Sequence, residues 1–172
     1  MKCGFIGLGV LGSKMAAKIL DAGHALRVYD RDTNAVDKLV AAGAINARSV
    51  QEATSNIDAL ITCLPSPAAC EEVMTGDGGA LSSLAPGNCW IEMSTTDVDE
   101  MKRLALLAGE KSIDVLECPA TGGVHRATKG QMTLLVGGDE TLLHQYRPLL
   151  EIMSGQIVYM GEIGNASLIK VV

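Results

Sequence analysis

A short apolar run, Cys3-Gly4-Phe5-Ile6, passes directly into Gly7-Leu8-Gly9-Val10-Leu11-Gly12 and then into a helical pattern with Leu11, Met15, Ile19 and Leu20 on one side. A strand that must turn on glycines spaced G-x-G-x-x-G and continue at once as a helix commits the chain to a βα unit. Each glycine has a separate task. Gly7 permits the sharp turn, Gly9 removes the side chain that would block a pyrophosphate, and Gly12 lets the helix approach the strand. The free N–H groups at the helix start then face any phosphate, where the helix dipole favours negative charge. Glycine-rich turns are common, so the turn alone leaves an ordinary tight connection open.

The next elements narrow the choice. Asp21-Ala22-Gly23-His24 reads as a helix end and turn, and Ala25 to Tyr29 as a second strand ending on Asp30, 18 residues beyond Gly12. An acid there can accept the hydroxyls of an adenosine ribose. It can also be a turn aspartate capping the helix that begins near Thr33. Strand, glycine turn, helix, strand and terminal acid together point to a dinucleotide site, with Gly7, Leu8, Gly9, Val10, Leu11, Gly12, Asp30 and Arg31 at the coenzyme. The Asp30 carboxylate repels a 2′-phosphate, which favours NAD. Arg31 can pair with a phosphate or stack on adenine, which keeps NADP possible.

Strands and helices continue to alternate. Helices are expected over Thr33 to Ala42, Ser49 to Thr54, Pro67 to Met74, Val98 to Ala108 and Glu140 to Met153. Strands are expected over Ala44 to Asn46, Ala59 to Leu64, Trp90 to Met93, Ile113 to Leu116, Met132 to Val136 and Ile157 to Tyr159. The order implies one α/β domain: a doubly wound, mostly parallel Rossmann-type sheet in three layers, with ligands beyond the carboxyl ends of the strands. A net charge of -6 and a pI near 5.0 argue against nucleic acid and anionic membrane surfaces. No apolar run reaches the roughly 20 residues of a membrane span. Glycines break the apolar N-terminus where a signal peptide needs continuity, so a cytoplasmic protein is expected. The five cysteines show no C-x-x-C spacing, which points to buried thiols and to no metal.

Four motifs in order then resemble the N-terminal domain of the β-hydroxyacid dehydrogenases, the group of 3-hydroxyisobutyrate dehydrogenase and tartronate semialdehyde reductase. They are the glycine turn with Met15-Ala16, Leu64-Pro65 with Met93-Ser94-Thr95-Thr96, Cys118-Pro119-Ala120-Thr121-Gly122-Gly123-Val124 with Gly130 and Val136-Gly137-Gly138, and Gly164 with Lys170. The resemblance implies a hydride transfer between nicotinamide and a small hydroxy acid or its semialdehyde. It implies Leu64, Pro65 and Thr95 beside the coenzyme, Thr121, Gly122 and Gly123 on the substrate carboxylate, and Lys170 as the proton donor to the substrate oxygen. Consecutive glycines that bare their N–H groups, with one hydroxyl beside them, suit an anion, although an ordinary turn reads the same way. Thr121 stands where serine is usual, Arg126 where glycine is usual, and Ala166 replaces one glycine near Lys170. Arg126 and His125 read as solvated surface residues.

The resemblance also implies residues 1–165 as the dinucleotide domain and 166–172 as the start of an interdomain helix. The family's all-helical C-terminal domain, which closes the site and usually builds a homo-oligomer, is absent from this sequence, so little turnover is expected of the chain alone. The alternative is a non-catalytic module that binds or senses dinucleotide.

Overall fold

In the computed structural model, which describes residues 1–171, the chain forms nine strands and eight α-helices in one sheet-centred body. The first half is β1 (Lys2–Ile6), α1 (Val10–Asp21), β2 (Ala25–Tyr29), α2 (Thr33–Ala41), β3 (Ile45–Asn46), α3 (Val50–Ala53), β4 (Ala59–Thr62) and α4 (Pro67–Thr75). After a 3-10 turn at Ala80–Ser82 come β5 (Cys89–Glu92), α5 (Val98–Glu110), β6 (Asp114–Glu117), β7 (Ala120–Thr121), α6 (Gly123–Thr128), β8 (Met132–Gly138), α7 (Glu140–Met153), β9 (Ser154–Gly161) and α8 (Asn165–Val171). Val172, the last position of the expected interdomain segment, lies outside the described residues. No helix among the described residues is long and apolar enough to cross a membrane.

The strand order is β3-β2-β1-β4-β5-β6-β8-β7, with β9 on the other edge of β8. Strands β1 to β6 pair in parallel, and β8 runs antiparallel to β6 and β7. The mostly parallel, doubly wound expectation therefore holds, with an antiparallel turn at the late edge. Burial explains the layers. Cys3, Phe5, Ile61 and Ile91 face one side with Met15, Ile19, Tyr146 and Leu150, while Ile6, Leu60 and Trp90 face the other with Met74, Met101 and Leu104. A sheet covered on both faces needs nearly continuous apolar strands, which is why β4 and β5 have no exposed position.

One strand boundary differs from expectation, and one helix was not expected. Strand β4 ends at Thr62 rather than Leu64, because the Leu64 N–H donates to Ser94 Oγ at 2.7 Å instead of continuing the ladder. Residues 123–128, given no element by the sequence pattern, form the short helix α6 just after the Thr121 to Gly122 stretch.

Candidate functional site

The helices differ in how they begin. Asp32, Ser49, Ser66, Asp97 and Asp139 cap α2, α3, α4, α5 and α7 through side-chain oxygens. By contrast, α1 and α6 start on Gly9 and Gly122 with no side-chain cap. The first N–H groups of α1 are thus left for an outside partner, at the carboxyl end of β1.

The glycines fit a pyrophosphate. Gly7 adopts φ +96, and an added Cβ would strike the Cys63 backbone. At Gly12 a Cβ would strike the Gly7 carbonyl, which shows how closely α1 packs on the turn. At Gly9 a Cβ would meet nothing within 4 Å, so this face of the turn is open toward the cavity. That cavity, of about 460 Å³, is lined by the turn from β1, by Asp30 and Arg31 after β2, and by Leu64 and Pro65 after β4. Its size suits part of a dinucleotide.

The half-buried Asp30 is already aimed. Its Oδ2 accepts from the Leu8 N–H at 2.6 Å and its Oδ1 from the Asp32 N–H at 2.8 Å. A carboxylate offers about four acceptor sites, so two remain for ribose hydroxyls. Gly7, Gly9, Val10, Leu11, Gly12, Asp30, Arg31, Leu64 and Pro65 all line the cavity. Leu8 and Thr95 do not: Leu8 is buried and contributes its N–H to Asp30, and Thr95 is exposed beyond β5.

A second group assembles at the end of β6. Lys170, carried by α8, donates from Nζ to Ala120 O at 2.9 Å and to Thr121 Oγ1 at 2.6 Å, across 49 residues of sequence. Thr121, Gly122 and Gly123 follow on one exposed segment, with φ +141 at Gly122 and +71 at Gly123. The Arg126 side chain lies over Gly122, on the helix just beyond, and His125 is exposed. Lys170 and Thr121 stand outside the glycine-turn cavity.

Two buried acids were missed by sequence reasoning. Parallel register places Ile6, Thr62, Glu92 and Glu117 side by side along the carboxyl rim of the sheet. Glu92 Oε2 accepts from Thr62 Oγ1 at 2.9 Å and from Cys70 Sγ at 2.7 Å, and its Oε1 accepts from the Ser94 N–H at 2.6 Å. It thereby ties together the loops after β4 and β5. Burial pushes its carboxyl above the usual range, partly offset by the hydrogen bonds from Cys70, Ser94 and Thr62. Glu117 Oε1 accepts from the N–H groups of Gly164 and Ala166 at 2.7 and 2.8 Å, and its Oε2 from Ser167 Oγ at 2.7 Å. This carboxyl fixes the start of the helix that carries Lys170. The available signal was an acid inside each otherwise apolar strand, Trp90-Ile91-Glu92-Met93 and Val115-Leu116-Glu117-Cys118. The cysteines are inert by burial, with the Cys3 and Cys63 thiols pushed up to about 12.

Residues 2–161 match the family model of the NAD-binding domain of 6-phosphogluconate dehydrogenase. The NAD-dependent L-serine dehydrogenase of Pseudomonas aeruginosa is 39% identical over 167 residues, covering 97% of this chain and 56% of that protein. A solved structure of Mycobacterium tuberculosis 3-hydroxyisobutyrate dehydrogenase with L-serine superposes with a TM-score of 0.94 at 33% identity, over 99% of this chain and 57% of that one. The structure of Psf3 in complex with NADP+ and 2-OPP has a TM-score of 0.94 at 28% identity, over 98% of this chain and 60% of that one. The chain therefore spans a little over half the length of these relatives.

Proposed function

The chain belongs to the family of the NAD-binding domain of 6-phosphogluconate dehydrogenase, and from that premise we propose that it is the coenzyme part of an oxidoreductase acting on a small hydroxy acid or its semialdehyde. The observation that carries the reading is the contact of Lys170 Nζ with Thr121 Oγ1 at 2.6 Å, on the same rim of the sheet as the glycine turn. A bound nicotinamide supplies the hydride chemistry. The chain supplies the rest. The α1 N-terminus and Gly9 receive the pyrophosphate, and Asp30 holds the adenosine ribose and disfavours a 2′-phosphate, so NAD is preferred. Leu64 and Pro65 flank the coenzyme, with Thr95 on its nicotinamide side.

Thr121, Gly122 and Gly123 hold the substrate carboxylate through a hydroxyl and bared N–H groups. Lys170 stands beside them. In the reducing direction its ammonium stabilises and protonates the alkoxide formed at the former carbonyl; in the oxidising direction it receives the hydroxyl proton. The pairing of a carboxylate site with a proton-transfer group fits an acid with a nearby hydroxyl, the pattern of L-serine and of 3-hydroxyisobutyrate. Residues 1–165 form the coenzyme domain and the segment from 166 leads toward a closing partner. Without such closure the site stays wet and turnover by this chain alone is low.

The test compares NADH binding and coenzyme-linked oxidation of L-serine and 3-hydroxyisobutyrate in the wild-type and Lys170→Ala forms of the protein that contains this chain. Saturable NADH binding in both forms, with oxidation lost in the variant, is expected. Undiminished oxidation in the variant removes Lys170 from this role, and absence of NADH binding rejects the dinucleotide site.

A further inference from the structure

The cavity mouth carries an ion pair whose partners come from opposite walls. Arg31 follows β2, and Glu72 lies on α4 between Ala69 and Val73, which themselves line the cavity. Arg31 Nη2 and Glu72 Oε2 are 2.7 Å apart. Among the described residues Arg31 is the one cationic residue lining this cavity, and it sits next in sequence to the ribose-facing Asp30. The neighbouring acid, Glu71, is engaged elsewhere, on Arg103 of α5 at 2.8 Å. Glu72 is paired with Arg31 instead.

We propose that Glu72 is a coenzyme-selectivity residue: it holds Arg31 across the cavity mouth and so withholds from a 2′-phosphate the guanidinium placed to receive it. The inference rests on the dinucleotide reading above. A 2′-phosphate entering beside Asp30 meets two carboxylates, Asp30 and Glu72, against a single guanidinium. It must also take Arg31 from a partner already at hydrogen-bond distance, leaving Glu72 unpaired beside a dianion. NAD, which has only hydroxyls there, leaves the pair intact. Both side chains are more than half exposed, so the pair adds little to the fold and can be altered without unfolding the chain.

NADH and NADPH are titrated against the wild-type chain, Glu72→Gln, Arg31→Gln and the double variant, at low and at high ionic strength. Glu72→Gln is expected to raise NADPH affinity relative to NADH about tenfold, the size of one well-placed charge-assisted contact. The double variant loses that gain, because the freed guanidinium is what the phosphate uses. High salt shrinks the effect of Glu72→Gln, since the groups are exposed to screening. An unchanged NADPH-to-NADH ratio in Glu72→Gln, or the same gain in the double variant, overturns the role of Glu72. Failure of the wild-type chain to bind either coenzyme is a different result, which overturns the dinucleotide reading and this inference with it.

Discussion

Replacing Glu117 by alanine deletes a single carboxyl on which three donors converge: the N–H groups of Gly164 and Ala166 and the Ser167 hydroxyl. All four residues are buried, so water does not simply take its place. The Ser167 hydroxyl can turn to a carbonyl in the preceding turn, and its loss is largely recovered. The two N–H groups cannot turn. Each buried donor left unpaired costs about 1–3 kcal/mol, giving about 2–6 kcal/mol for the pair. The helix α8 can lift from β8, β9 and α5 before the upper end of that range is reached. A local destabilisation of about 2–4 kcal/mol follows, equivalent to roughly 30- to 900-fold faster amide exchange. Hydrogen exchange at residues 164–171, read against β1 and β4 as internal references, measures it. Glu117→Gln discriminates the cause: its carboxamide oxygen can accept both N–H groups and its NH2 can donate to Ser167 Oγ, so most protection should return. Exchange in Glu117→Ala within twofold of the wild type would show that the Glu117 carboxyl does not anchor α8.

Two further perturbations separate the tasks of the same sheet edge. Gly9→Ala meets no atom of the chain, so unfolding should be unchanged while NADH affinity falls at least about tenfold through the blocked pyrophosphate approach; Gly12→Ala strikes the Gly7 carbonyl and should also cost about 1–3 kcal/mol in denaturant unfolding. Glu92 holds its proton more tightly folded than unfolded, so its contribution is fully present below the unfolded-state value near 4.5 and is lost as pH rises toward the raised folded value. Stability measured across that window should fall with pH more steeply in the wild type than in Glu92→Gln, and equal slopes would count against a carboxyl raised by burial.

What the sequence made legible was what lies close along the chain. The glycine turn, the first helix and Asp30 form one βαβ segment; their spacing pointed to a dinucleotide site, and Gly7, Gly12 and Asp30 line one cavity. The near-continuous burial of β1 and β4 was legible for the same local reason, as short unbroken apolar runs. The contacts that organise the remainder span long separations: Glu92 to Cys70 across 22 residues, Glu117 to Ser167 across 50, and Lys170 to Thr121 across 49. No periodicity reports such pairs. Lys170 and Thr121 were reached through family resemblance, whereas Glu92 and Glu117 read only as acids within strands. The helix α6 escaped notice because it is six residues long and opens on two glycines, a composition that a turn shares. Arg31 was ambiguous in sequence because its partner, Glu72, is supplied by another wall of the cavity.

The coenzyme and hydroxy-acid sites are tested most directly by an amide-resolved NMR titration of this chain, first with NADH and then with L-serine in the presence of NAD+. NADH is expected to shift the amides of Gly7, Gly9, Gly12 and the segment at Asp30, and the hydroxy acid then to shift Thr121, Gly122, Gly123 and the α8 segment at Lys170. Shifts confined to other surfaces, or a hydroxy acid that perturbs the glycine turn and leaves Thr121 to Gly123 untouched, would contradict this placement of the two sites.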